Sequence, residues 1–159
     1  MKSYNKLVLG ILVMLAIMIN AGCSSVVSHQ DSIFDNDSKI IAQGDSHTYK
    51  SRLGNIADKE TEIKFNSFSG SDTIYRIISD GESDAIFNFS SISDKGDFKV
   101  VLITADDEII NIVNGTGEGS ESISIEDGTS RVKLIGKKAK GEIKLKIESG
   151  ENVDIKVVD

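Results

Sequence analysis

Hydrophobic and polar positions alternate along most of this chain in short runs with a period of two. Residues 143–148 read Ile-Lys-Leu-Lys-Ile-Glu, and residues 153–157 repeat the scheme as Val-Asp-Ile-Lys-Val. This period is typical of β-strands that bury one face. Residues 100–103 are apolar at every position, which predicts a central strand. The pattern predicts ten strands: His47–Leu53, Thr61–Phe68, Thr73–Ser79, Ala85–Ser91, Phe98–Ala105, Glu108–Val113, Glu121–Ile125, Arg131–Gly136, Glu142–Glu148 and Val153–Val158.

Gly, Asp, Asn and Ser separate these runs, and they predict the turns. Asp80-Gly81 and Asp127-Gly128 are hairpin signals because Asp and Gly both tolerate positive φ. Residues 69–72 and 94–97 have similar turn composition, and residues 114–120 are predicted to form a hairpin loop. About ten short strands at this spacing predict an all-β fold, an antiparallel β-sandwich or jelly roll. In strand rhythm alone the domain is distantly similar to small β-sandwich modules of secreted bacterial proteases, a likeness that implies no function.

The N-terminus departs from this pattern. Lys2 and Lys6 precede thirteen residues, Leu7 to Ile19, that carry no charge and are almost wholly apolar. A helix of that length reaches roughly 20 Å, short of the ~30 Å hydrocarbon core of a bilayer. The segment therefore fits a helical signal peptide over residues 1–22 better than a permanent membrane span.

Ala21-Gly22-Cys23 follows this apolar run and contains the only cysteine of the chain. The arrangement resembles the lipobox of bacterial lipoproteins, in which small residues precede an invariant cysteine. The resemblance implies cleavage before Cys23, acylation of its thiol and anchoring on the extracytoplasmic face of the cell membrane. Asn20 occupies a position where the family usually has an aliphatic residue.

Composition divides the mature chain and excludes one class of partner. Residues 23–44 are polar and without period, which predicts a lipidated N-terminus and flexible tether, with Ile40 and Ile41 beginning a strand or packing over an edge. Residues 45–159 form the predicted β-sandwich domain. The chain carries 18 Lys and Arg against 25 Asp and Glu, and loss of residues 1–22 brings the net charge to −9. So acidic a chain lacks the basic face that nucleic-acid binding needs.

Catalytic and metal-binding motifs are weak. His47 opens a predicted strand with no G-x-S-x-G motif anywhere, and the sequence implies neither an enzyme nor a cofactor. Asp80, Glu82 and Asp84 alternate across a turn and form a weak calcium candidate. Ala85 and Ser91 stand where an EF-hand loop requires Gly and Glu, so solvated turn acids are the alternative interpretation.

The concentration of basic residues in one stretch of an otherwise acidic chain is the one candidate binding signal that stands out in the sequence. If Arg131–Gly136 and Glu142–Glu148 form a hairpin, its outer face and tip carry seven basic residues that could bind an anionic polymer. The alternative is a solvated face whose lysines block edge aggregation. The seven residues are Arg131, Lys133, Lys137, Lys138, Lys140, Lys144 and Lys146.

The sequence therefore favours a lipid-anchored envelope lipoprotein acting as a non-enzymatic binding or structural module. Its expected partners are the membrane and an anionic envelope polymer or another envelope protein. The alternative is an accessory or inhibitory subunit of a membrane-bound partner. The chain has no Trp, which disfavours glycan binding by aromatic stacking and leaves recognition by hydrogen bonds open.

Overall fold

The computed structural model describes the backbone of residues 22–158 and the side chains of residues 26–158. Residues 1–21 of the predicted signal peptide and the side chain of Cys23 lie outside this described part. Among the described helices, none is long and apolar enough to cross a bilayer.

Eight strands and two short helices make up the described chain. The helices are α1 (Gly22–Asp31) and α2 (Asp37–Ile40). The strands are β1 (Ser46–Thr48), β2 (Ser51–Ala57), β3 (Glu60–Ser79), β4 (Ser83–Ile103), β5 (Ile109–Asn114), β6 (Gly117–Ile125), β7 (Gly128–Ser149) and β8 (Val153–Val157). All strand pairs are antiparallel, which confirms the all-β prediction.

Three very long strands, β3, β7 and β4, form the centre of the sheet, and each crosses a crease near its middle. The register shifts at this crease, between Phe65 and Gly70 on β3 and between Ser93 and Asp97 on β4. Such irregularities bend a strand. On one side of the crease, the first half-sheet has the order β2-β3-β7-β4-β6, and on the other side β1 and β8 pair with β3 and β5 with β4 to make the second half-sheet.

The two half-sheets fold over the crease and enclose one apolar core. Phe65 of the first half-sheet lies with its ring 4.5 Å from that of Phe98 of the second. Phe87, Leu134 and Ile143 are fully buried in the same cluster. The sandwich is therefore one sheet folded on itself.

Six of the ten predicted strands are the two halves of β3, β4 and β7, so the three reversals of the chain predicted between these halves do not exist. Arg131–Gly136 and Glu142–Glu148 are both parts of β7, and no hairpin joins them. Residues 69–72 and 94–97 lie within β3 and β4 and bend the chain instead of reversing it. Gly70 and Gly96 have φ of 108° and 67°, so the glycines that indicated turns supply the crease.

The prediction of a flexible tether over residues 23–44 is also wrong for its second half. Residues 33–45, here called the strap, cover the outer face of the second half-sheet. Ile33 and Ile40 are buried there in a cluster that includes Ile135. Asn36 caps α2 by accepting a hydrogen bond from the backbone N–H of Lys39. The buried isoleucines and the capped helix α2 help to order a segment that is otherwise polar.

Candidate functional site

The outer face of the first half-sheet is open, and the strand register arranges its polar side chains in rows. Because side chains alternate across a sheet, residues paired between strands share a face. One row crosses all five strands of the half-sheet: Asn55, Glu62, Lys144, Ser90 and Glu118. The next row is Ala57, Glu60, Lys146, Asn88 and Ser120.

The two rows line an open groove of about 780 Å³. Between them run the backbones of Thr61, Leu145, Phe89 and Gly119, whose positions alternate to the inner side. Five strands about 4.8 Å apart give the groove a span of roughly 19 Å. That length suits an extended ligand that lies across the strands.

The charged groups of the groove are held weakly. Lys144 Nζ lies 3.1 Å from Glu62 Oε1, and Lys146 Nζ lies 3.1 Å from Glu148 Oε1. Asn88 donates to the same oxygen of Glu148 at 3.4 Å. All these side chains are half exposed or nearly so, and exposed ion pairs contribute about 0–1 kcal/mol. A ligand can therefore take over these donors and acceptors at little cost.

Other polar groups in the groove have no partner. Within the described part of the chain, the side chains of Ser90, Glu118 and Ser120 make no hydrogen bond or ion pair. Three glutamates and two lysines line the groove, so its charge is close to balanced. Its outward rows contain no aromatic residue, and the one aromatic ring that borders it, Phe89, packs against the core from the inner side.

Exposed apolar side chains flank the groove on the same face. Leu53 and Ile92 are the ends of the row Leu53, Lys64, Glu142, Ile92, and Ile86 lies on the other side of the groove beside Glu148. Their exposed fractions are 70%, 43% and 39%. No other large hydrophobic side chain in the described strands is so exposed, so exposed apolar surface is concentrated on this face.

The structure disperses the seven basic residues that the sequence placed on one hairpin. Only Lys144 and Lys146 lie in the groove. Lys137, Lys138 and Lys140 lie at the crease and face Asp35, Asp31 and Asp94 at 2.7, 3.4 and 4.0 Å. Arg131 and Lys133 are buried under the strap, with 5% and 0% exposure. The predicted common basic face is therefore wrong, because β7 is continuous and its two halves face opposite ways.

Of the acids of the calcium candidate, Asp80 and Glu82 lie in the connection between β3 and β4, and Asp84 lies in β4, where it pairs with Ser124. Glu82 accepts a hydrogen bond from Ser124 at 3.3 Å. In residues 26–158 no group of three or more His, Cys, Asp or Glu side chains has the arrangement of a metal site.

Sequence reasoning missed the groove although its signals were present. Residues 114–120 were predicted as a loop, but β6 begins at Gly117 and carries Glu118 and Ser120 outward. The alternation of Glu60 with Glu62 and of Lys144 with Lys146 marked outward positions. The sequence did not show that these two runs pair with each other.

Comparisons with known proteins found likeness of shape only. No protein-family model and no curated protein matches the chain. A domain of tailspike protein 4 from bacteriophage CBA120 has a TM-score of 0.39 and 9% identity over 77% of this chain and 20% of its own. A family 29 carbohydrate-binding module in complex with mannohexaose has a TM-score of 0.35 and 11% identity over 67% and 82%. A family two carbohydrate esterase from Cellvibrio japonicus has a TM-score of 0.33 and 13% identity over 71% and 31%. At these TM-scores the likeness assigns no ligand and no site to this chain.

Proposed function

We propose that this protein is a non-enzymatic binding module, a lipoprotein of the cell envelope, whose groove binds an uncharged polysaccharide through hydrogen bonds. The observation that carries the proposal is the pair of polar rows across five strands. Carboxylate, ammonium, amide and hydroxyl groups in these rows offer donors and acceptors along a line of roughly 19 Å. A polymer rich in hydroxyl groups can use both kinds of partner.

The balance of charge in the groove favours an uncharged polymer over an anionic one. An anionic chain would meet the carboxylates of Glu60, Glu62 and Glu118 as well as two ammonium groups. Hydroxyl groups can donate to the former and accept from the latter without opposing a like charge. Recognition by hydrogen bonds also accords with a groove whose outward rows have no aromatic platform.

Anchoring at Cys23 is part of the proposal, and its support is the lipobox-like sequence Ala21-Gly22-Cys23. Two acyl chains would hold the protein firmly at the membrane, since each buried CH₂ contributes about 0.8 kcal/mol. Gln30 is the first buried side chain of the described part, so few residues separate the anchor from the folded domain. The groove would then be presented close to the bilayer.

The test is affinity electrophoresis of the full-length protein in a detergent without a sugar headgroup. Gels would contain an uncharged glucan, an uncharged mannan or an anionic wall polymer. We expect retardation by an uncharged polymer that persists as salt is raised, because hydrogen bonds are screened far less than exposed charges. Retardation by the anionic polymer alone, lost on adding salt, would contradict the proposal.

Two variants separate the groove from the rest of the surface. Lys144→Ala and Lys156→Ala each remove a half-exposed lysine with an acidic partner at 3.1 Å, but only Lys144 lies in the groove. We expect Lys144→Ala to weaken polysaccharide binding by about 1 kcal/mol, and Lys156→Ala to leave it unchanged. Equal behaviour of the two variants would show that the groove is not the site.

A second candidate function is that of an accessory or inhibitory subunit that binds an envelope protein. Its support is the exposure of Leu53 and Ile92, which border a smaller pocket of about 440 Å³ at the crease. Under this alternative, Leu53→Asp would abolish co-purification of a crosslinked envelope protein while polysaccharide binding is absent from the start. Retention of the same partner by Leu53→Asp would exclude this surface.

A further inference from the structure

A cleft lies on the open side of the sandwich, where the edge of the first half-sheet faces the edge of the second. Its volume is about 460 Å³, and strand β2 forms one wall. Strand β1, the end of β8 and Asp72 of β3 form the other. The lining residues are His47, Arg52, Gly54, Asn55, Ile56, Asp72, Val157 and Val158. Apart from Asn55, none of them lines the groove.

The hydrogen bonding of His47 fixes which ring nitrogen is available in this cleft. Nδ1 lies 3.2 Å from the carbonyl oxygen of Ser71. A carbonyl oxygen only accepts, so Nδ1 carries the hydrogen and donates it. Asp72 Oδ1, at 4.0 Å, favours the same tautomer. Neutral His47 is therefore left with Nε2 as an acceptor that has no partner in the described structure.

Tyr49 occupies the remaining oxygen of Asp72. Its hydroxyl donates to Asp72 Oδ2 at 2.7 Å, and its ring stacks on Phe68 with centroids 4.4 Å apart. Burial, together with the charge of Asp72, raises the pKa of Tyr49 far above its usual value, so the phenol stays protonated. The Asp72 carboxylate is thus held by the protein itself and is mostly buried.

Arg52 supplies the positive charge of the cleft. Its guanidinium carbon lies 5.7 Å from the centroid of the Tyr49 ring, within the range of a cation–π contact. In the described part of the chain, this guanidinium makes no hydrogen bond and no ion pair. Its donors are therefore available for a bidentate contact with an anionic group.

We propose that this cleft binds a small hydroxylated carboxylate of the sugar-acid class. The carboxylate of the ligand accepts hydrogen bonds from Arg52, and a hydroxyl group of the ligand donates to Nε2 of His47. This inference does not depend on the groove or on its ligand.

The test is calorimetric titration of the full-length protein in detergent at neutral pH with sodium D-glucuronate. Sodium acetate and D-glucose each offer one half of the proposed recognition and serve as comparison ligands. We expect glucuronate to bind with a dissociation constant of about 1 mM and each half-ligand at least about tenfold more weakly. Absence of glucuronate binding, or equal binding of acetate, would overturn the proposal.

Variants locate the binding in the cleft. Arg52→Gln and His47→Gln are each expected to weaken glucuronate binding about tenfold, the usual size of losing a hydrogen bond to a charged or buried partner. Arg76→Gln removes the same charge from β3 outside the cleft and is the matched control. Equal weakening by Arg76→Gln would show a general charge effect and overturn the proposal.

A further variant, Arg52→Lys, separates a loss of ligand binding from a loss of folding. Arg52→Lys keeps the charge and the contact with Tyr49 but loses the bidentate fork. We expect it to melt like the parent protein and to bind glucuronate more weakly than the parent. Binding equal to that of the parent would contradict the assigned role of Arg52.

Discussion

Two buried cations, Arg131 and Lys133, bind the strap to the sheet. Arg131 donates to the carbonyl oxygens of Ile41 and Ala42 at 2.9 and 3.1 Å. Lys133 donates to Ala42 at 2.7 Å, and its Nζ lies 3.2 Å from Asp45 Oδ1. Burial lowers the pKa of Lys133, and the charge of Asp45 opposes that shift. These side chains, predicted to bind an external anion, are committed to an internal role.

Asp45 is the residue on which this arrangement depends most. Besides Lys133, it accepts hydrogen bonds from the backbone N–H and the hydroxyl of Thr73, both at 3.0 Å. We expect Asp45→Asn to lower the free energy of unfolding by about 3–5 kcal/mol, because it leaves a buried ammonium group without its counter-charge.

Urea denaturation measures this cost, and Asp154→Asn is the matched control. Asp154 pairs with Lys156 at 3.1 Å on the exposed face of β8, and its loss is expected to cost less than about 1 kcal/mol. A cost below about 1 kcal/mol for Asp45→Asn as well would mean that Lys133 does not need this partner.

The long, creased strands are the elements that give this fold its shape. Each half of β3, β4 and β7 was predicted as a strand, from alternation in residues 143–148 and from a continuous apolar run in residues 100–103. Their continuity was not, because Gly70 and Gly96 have the composition of a turn and the geometry of a bend. A local sequence signal cannot distinguish a turn from a bend within one strand. The distinction depends on whether the residues that follow pair with the same neighbouring strand as the residues before.

The same limit explains the misplaced basic residues. Alternation correctly put Arg131 and Lys133 on the outer side of their strand. Whether an outer side faces solvent depends on the rest of the chain, and Ile33 and Ile40 bring the strap over it. The inner face was predictable from local pattern, whereas the cover and the groove depend on contacts distant in sequence.

A substitution at Gly141 tests whether strands β4 and β7 approach each other closely at the crease. Gly141 lies on β7 where β4 passes closely, and a Cβ there would overlap the backbone carbonyl oxygen of Ile92. We expect Gly141→Ala to destabilise the protein by about 1–3 kcal/mol, because the two strands must move apart.

Gly44→Ala is the comparison for this substitution, since a Cβ at that position meets no atom within 4 Å. Thermal unfolding of both variants gives the difference. If Gly141→Ala unfolds at the temperature of Gly44→Ala, strands β4 and β7 do not approach each other at the crease as described.

At the scale of the whole molecule, the two outer faces of the sandwich differ. The strap covers the second half-sheet, and its burial of Ile40 and Lys133 is complete. The first half-sheet is open, polar along two rows and flanked by exposed Leu53, Ile86 and Ile92. This asymmetry leaves one broad face for an external ligand.

The proposed anchor makes a prediction about the whole protein in its cell. Cys23→Ser is expected to abolish incorporation of labelled fatty acid and to leave an unprocessed precursor, because Cys23 is the only cysteine of the chain. Labelling of cells that express the parent and the variant, followed by gel analysis, measures both effects. Fatty-acid labelling of Cys23→Ser at the level of the parent would exclude lipidation at this residue.

The groove is the central claim, and mapping of backbone amide chemical shifts during titration with an uncharged polysaccharide tests it most directly. The account predicts that the largest changes fall on the strands beneath the two polar rows, at Thr61, Phe89, Gly119 and Leu145 and their neighbours. The amide chemical shifts of the strap, which includes Ile40 and covers the outer face of the second half-sheet, are predicted to remain unchanged. Changes confined to the strap or to β1, β5 and β8 of the second half-sheet, with none along the rows, would contradict the account.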